Sequence, residues 1–284
     1  MNNIKKIHKA EFRPIADLVT YSPMPTQSLN HLDPFLFLNH HGHQIYPSNN
    51  QGLPFGPHPH RGMETVTFIL EGDITHMDSS GHQSVIGPGG VQYMTAGSGL
   101  IHAEVSSEEF KKKGGELELL QLWLNLPADK KMMEPNYIGL QKDQIPTFTL
   151  NQRKTKVQQL FGEWNGAKGA FDGNFPLTMS TIHMENGSRF EKSIPAGEQI
   201  FFYVVRGELE VNGTEVPFRH LVEFEKNTAT INVEATEDTI LILGHAAPFH
   251  EPIVAQGPFV MNSQEQIQEA YADYRSGKFG SWTH

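Results

Sequence analysis

Short runs of β-branched and aromatic residues, broken by glycine, proline and acidic turns, dominate the chain. Glu64–Leu70 reads ETVTFIL, which suits a pleated, half-buried surface, and Glu71-Gly72-Asp73 follows as a turn. Ile74–Asp78 predicts the next strand, and Ser79-Ser80-Gly81 the turn after it. Leu117–Leu126 (LELLQLWLNL) alternates less cleanly, which predicts a strand buried on both faces and ended by Pro127-Ala128-Asp129. A helical period is confined mostly to the C-terminal stretch. There Ile267, Ala270, Tyr271 and Tyr274 make one apolar face, Ser263 and Gln266 stand at capping-box spacing, and Gly277 can stop the helix. The pattern gives an all-β chain with a short C-terminal helix.

The second half repeats the theme of the first. FFYVVRGELE at 201–210 parallels FILEGDIT at 68–75, and setting Gly72 on Gly207 puts apolar residues in register on both sides of an acidic turn. A polar, proline-containing segment from Asp143 to Thr155 reads as a linker. An internal duplication follows, with units at 1–142 and 143–284. In this alignment His58, His60 and Glu64 become Ser193, Pro195 and Gln199, so no metal-ligand type survives in the second unit. His183, His220, His245 and His250 accordingly read as surface or packing residues.

Composition narrows the function. The chain has 284 residues, 38% hydrophobic and 19% charged, enough for two globular domains. A net charge of -10 argues against direct nucleic-acid binding, which rests on cationic neutralisation of phosphates. The one basic run, Lys111-Lys112-Lys113, sits among Glu108, Glu109, Glu116 and Glu118 and reads as a solvated loop. The absence of cysteine excludes disulfides, thiolate metal sites and cysteine nucleophiles. Met1–Lys6 lacks the apolar core of a secretory signal, and no window is apolar enough to span a bilayer, so the expectation is a cytoplasmic protein with no membrane partner.

Chemistry concentrates in two x-spaced pairs. Pro57-His58-Pro59-His60 is answered by Ile101-His102-Ala103-Glu104, each beside a strand-like segment. Residues two apart on a strand face the same way, so both pairs can aim at one ion. Three imidazoles and a carboxylate suit Fe(II), Mn(II), Ni(II), Cu(II) or Zn(II), and leave positions open for water, O2 or a chelating substrate on an octahedral ion. Without a sulfur ligand, a closed structural zinc site does not fit. His40-His41-Gly42-His43 offers a second candidate metal-binding cluster, and its polarity reads more readily as a loop near the pocket mouth. Gly-Pro-Gly-Gly at 87–90 lacks the following Lys-Ser/Thr of a phosphate loop.

PHPHRGMETVTFILEGDITHMDSSG, VIGPGGVQYMTAGSGLIHAE, LLQLWLNLPADKKMMEPNY and EPIVAQGPFVMN together resemble the pirin family of the cupin superfamily, most densely between Pro34 and Tyr137. The resemblance implies a bicupin of two cupin-like β-sandwich or barrel domains, with metal in the N-terminal one only. It implies an iron-type centre, Fe(II) before Cu, Mn, Ni or Zn, held at His58, His60, His102 and Glu104. The general cupin spacing also fits Gly52, His58, His60, Glu64 and Gly72, and would make Glu64 the acidic ligand. The pirin pattern moves that role to Glu104 and leaves Glu64 as a strand residue or outer partner.

Two functions follow from the resemblance. One is a quercetin 2,3-dioxygenase type of enzyme that opens a flavonol or similar enolic ring with O2, Glu104 taking the enolic proton. The other is a non-enzymatic, metal- or redox-responsive partner of a regulatory protein. The open ligand set beside Phe55, Phe68 and Met94 favours the enzyme.

Overall fold

Glycine turns with positive φ at Gly72 (φ 78) and Gly207 (φ 76) each join a long, buried strand to a shorter one, and around each turn the chain builds the same pair of sheets. The computed structural model describes residues 3–282. One unit comprises the stretch through Glu11, Ser22–Phe35 and Gln144–Pro248; the other comprises Phe12–Tyr21, Leu36–Asp143 and the chain from Phe249 onward.

In the unit built mainly from the second half, a seven-stranded sheet runs Ile4–Lys9, His220–Phe224, Gln199–Arg206, Thr239–Ala246, Leu177–Met184, Thr155–Phe161, Thr147–Leu150. A four-stranded sheet runs Arg189–Ser193, Thr230–Ala235, Glu208–Val211, Thr214–Pro217. Both sheets contribute to one apolar core that includes Val157, Ile182, Phe202, Leu209, Val211, Ile231 and Val233. Thr147–Leu150 pairs with Thr155–Phe161, so part of the stretch read as a linker is an edge strand of this sheet. Its alternating exposure, with Phe148 and Leu150 packed on the core, explains why its polarity resembled that of a linker.

The other unit has the same sheet sizes. Its four-stranded sheet runs Phe55–His60, Leu100–Val105, Ile74–Asp78, Gln83–Ile86. Its larger sheet includes Asn136–Leu140, Val91–Thr95, Met63–Glu71, Gly115–Asn125 and Phe35–Tyr46 in that order. Here the apolar residues fall into separate clusters, one around Ile69, Ile74 and Leu119, another around Met63, Met94 and Leu100.

Two short segments depart from the reading of the sequence. The histidine run lies within the twelve-residue strand Phe35–Tyr46, with His40 and His41 buried, rather than in a loop. His40 Nε2 meets Glu118 Oε1 at 2.9 Å and His41 Nδ1 meets Thr20 Oγ1 at 2.9 Å, so these imidazoles are buried with partners. Lys111–Lys113 closes the helix Glu108–Lys113, capped by Ser107 and laced by Lys111–Glu108 and Lys113–Glu109 ion pairs. The C-terminal helix spans Gln264–Arg275 with the Ser263/Gln266 capping box in place. Ile267, Ala270 and Asp273 are its buried residues, while Tyr274 is 37% exposed. Asp273 is drawn in by Arg61, whose Nη2 lies 3.0 Å from its carboxylate. No helix among the described residues is long and apolar enough to cross a membrane.

Candidate metal centre

Strand register brings the site together. Leu100–Val105 pairs with Phe55–His60 so that His102 faces His58, and with Ile74–Asp78 so that His102 faces Asp78 and Glu104 faces His76. Residues opposite each other in an antiparallel pair share a sheet face. Three adjacent strands therefore present His58 and His60, His102 and Glu104, and His76 and Asp78 toward the interior. A register irregularity between His102 and Glu104 lets the Pro-stiffened edge strand keep step with this face.

His58, His60 and His102 form a group whose ligand-capable atoms lie within 4.8 Å of one another. Glu104 belongs to a second such group, with His102 and His76. Glu64 is in neither group: its Oε1 accepts from the Tyr93 hydroxyl at 2.6 Å and from Thr95 Oγ1 at 2.9 Å. Glu104 itself accepts from Thr67 Oγ1 at 3.2 Å and from Gln121 Nε2 at 2.5 Å. Gln121 Oε1 in turn accepts from the Trp123 indole N–H at 3.1 Å, which fixes the way the amide points.

The donor atoms suit a transition ion. His58 Nδ1–H donates to Gly56 O at 2.7 Å and His60 Nδ1–H to Pro258 O at 3.2 Å, which leaves Nε2 of each ring to carry a lone pair. Carbonyl acceptors of this kind hold metal-ligating imidazoles in the required tautomer. His60 Nε2 is buried without a hydrogen-bond partner. His58 Nε2 and His102 Nε2 are 3.0 Å apart, the edge expected of neighbouring ligands ~2.1 Å from one ion. Burial, followed by neighbouring imidazoles, pushes His60 down to about 3 and His102 well below its usual value, so both rings are neutral near pH 7.

A cavity of about 260 Å³ opens against this face. Period-two positions of two strands supply its opposite wall, Phe37, Asn39 and His41 from one and Leu119, Gln121 and Trp123 from the other. His76 and Gln121 were not singled out in the sequence as site residues, and His41 was read only as part of a histidine run near the pocket mouth. His76-Met77-Asp78 carries the same two-residue spacing as the two ligand pairs, and that signal could have placed it on their face. Gln121 and His41 could be placed only once the register was known.

The counterpart sheet in the other unit shows what the duplication discarded. Gly72 matched to Gly207 sets His76 on Val211, and the Val211–Val233 pairing then sets Glu104 on Val233 and His102 on Ile231. All three replacements belong to the apolar core of that unit. Where the polar set is replaced by aliphatic side chains, the sandwich closes around a continuous core.

Paired seven- and four-stranded antiparallel sheets, in one of which histidines and a carboxylate converge beside a cavity, define a two-domain cupin. Residues 17–124 match the pirin family model and residues 179–280 the model of the pirin C-terminal cupin domain. A pirin-like protein from Solanum lycopersicum is 36% identical over 256 residues, covering 89% of this chain and 84% of its own. The chain belongs to the pirin family. The crystal structure of a quercetin 2,3-dioxygenase from Acinetobacter baumannii matches with a TM-score of 0.91 at 33% identity, over 99% of each chain. A bacterial pirin from Escherichia coli, solved in complex with nickel(II), shares the fold at 19% identity and a TM-score of 0.68, over 86% of this chain and 99% of that one.

Proposed function

We propose that this protein is a metal-dependent dioxygenase of the quercetin 2,3-dioxygenase type, acting on a flavonol or a similar enolic ring. The observation that carries the reading is the convergence of ligand atoms from His58, His60 and His102 beside an aromatic-lined cavity. The likeness to the Acinetobacter dioxygenase supports it. His58, His60, His102 and Glu104 would hold the ion, and Fe(II) is the choice that suits O2 chemistry. When bound, such an ion acts as a Lewis acid that lowers the pKa of an enolic hydroxyl.

The remaining work falls to this chain's own side chains. Phe37, Phe55, Trp123 and Leu119 line the cavity and exclude water from a planar substrate. Glu104 would take the enolic proton on a carboxylate oxygen. Thr67 and Gln121 hold that carboxylate by donating to both of its oxygens, and Trp123 holds Gln121. In the overall reaction both atoms of O2 enter the products: the opened ester, and a ring carbon released as carbon monoxide.

Aerobic incubation of metal-loaded protein with quercetin tests this. The expected result is loss of the flavonol's visible absorbance with matching release of carbon monoxide. Full activity in a His58→Ala/His60→Ala variant, or no turnover at any metal loading, would sink the proposal.

A further inference from the structure

Most polar groups in the cavity wall are already committed. Gln121 gives its amide to Glu104 and Thr67, and the Trp123 indole N–H is spent on Gln121. His58, His60 and Glu104 belong to the proposed metal centre. Asn39 and His41 are the other polar side chains among the described residues of the lining.

His41 is held in one tautomer. The Thr20 hydroxyl donates to Leu18 O at 3.3 Å, so its oxygen accepts His41 Nδ1–H at 2.9 Å. Nε2 then carries the lone pair and is the polar atom left to the cavity. Burial pushes the ring down to about 3, so this acceptor is not lost to a proton near pH 7. Phe55 packs against the ring at 5.1 Å between centroids, and Phe55 itself rests on the cluster of Ile74 and Leu119. One hydrogen-bond acceptor therefore stands at an apolar end of the cavity.

The other end of the wall is marked by the ligands. His60 adjoins Trp123 at 5.1 Å between ring centroids, and Trp123 packs on Phe37 at 4.8 Å. His41 stands four residues beyond Phe37 on the same strand and the same face, roughly 13 Å away at the usual rise per residue. That span suits a molecule of two or three linked rings.

We propose that His41 Nε2 is a second anchor for the substrate, accepting a hydrogen bond from a phenolic hydroxyl at the end of the molecule remote from the metal. The proposal rests on the reading of the cavity as a flavonol site, and it narrows the substrate class to enols that carry such a hydroxyl. An unsubstituted ring in its place displaces water from Nε2 and offers no donor in return, so it is selected against.

Binding of two flavonols to the Ni(II)-loaded protein under nitrogen tests this, followed by their absorbance. Quercetin carries hydroxyls on both outer rings and 3-hydroxyflavone on neither. Wild type should bind quercetin at least about tenfold more tightly than 3-hydroxyflavone. His41→Phe should reduce that ratio at least about fivefold by weakening quercetin alone, and His41→Gln, which keeps an acceptor, should retain more of it. No preference in wild type, the same ratio in His41→Phe, or no binding of either flavonol would overturn the proposal. Quercetin binding that depends on His41 but yields no carbon monoxide once O2 is admitted would refute the dioxygenase reading and leave this one standing.

Discussion

Replacing Lys131 by methionine should weaken both the fold and the metal centre. Lys131 is 1% exposed, and its ammonium donates to Asn125 Oδ1 at 2.6 Å, Gly62 O at 2.8 Å and Val260 O at 3.1 Å. Gly62 lies two residues beyond His60, and Val260 two beyond Pro258, whose carbonyl accepts from His60 Nδ1. One cation therefore ties together the two backbone segments that orient His60. Methionine matches the length but donates nothing. Three charge-assisted hydrogen bonds at roughly 2 kcal/mol each are lost, offset in part by relief of the cost of burying an ammonium, for a net destabilisation of about 3 kcal/mol. The loosened Pro258 partner should lower metal affinity about tenfold or more. Urea unfolding of the metal-free protein and Ni(II) titration of the folded protein measure the two effects separately. A loss below about 1 kcal/mol with unchanged Ni(II) affinity would refute the reasoning.

Two further outcomes follow from the same unit. Burial, followed by the neighbouring His40, pushes His41 down to about 3, so the ring stays neutral in the fold while the unfolded chain takes up a proton below 6.5. Stability is then complete above pH 6.5 and is lost progressively down to about pH 3; at pH 5 the loss is ~2 kcal/mol. His41→Phe should remove that part of the pH dependence, and equal urea-midpoint shifts between pH 7 and pH 5 in variant and wild type would refute the assignment. Gly62→Ala should destabilise by more than about 1 kcal/mol in a thermal melt, because Gly62 has φ +77 and a Cβ there would sit 2.1 Å from Val260 O; an unchanged melt would refute that.

Local pattern carried the strands around Gly72 and Gly207, the buried strand ending at Asn125 and the capped C-terminal helix, because each follows from periodicity and turn chemistry within a few residues. It misread the histidine run at 40–43 for a different reason. Polarity predicts exposure, but His40 and His41 sit in a strand whose neighbours supply Glu118 and Thr20 from distant parts of the sequence. The convergence of His58, His60 and His102 was visible as spacing, since strand alternation turns a two-residue interval into a shared face. The placement of Glu104 beside His76, and the Gln121 amide that holds it, depend on which strands pair and in what register. No local rule supplies that information. The degeneration of the second unit was legible from an alignment on one glycine, and the register extends it to three positions filled by Val211, Ile231 and Val233.

The central claim is that His58, His60 and His102 converge to hold a transition ion. Elemental analysis of the protein isolated without added metal tests it most directly, with His60→Ala beside it as the control. Close to one equivalent of a transition metal is expected in the wild type and a substantially lower content in the variant. Wild-type protein without stoichiometric metal, or equal metal in both, would contradict it.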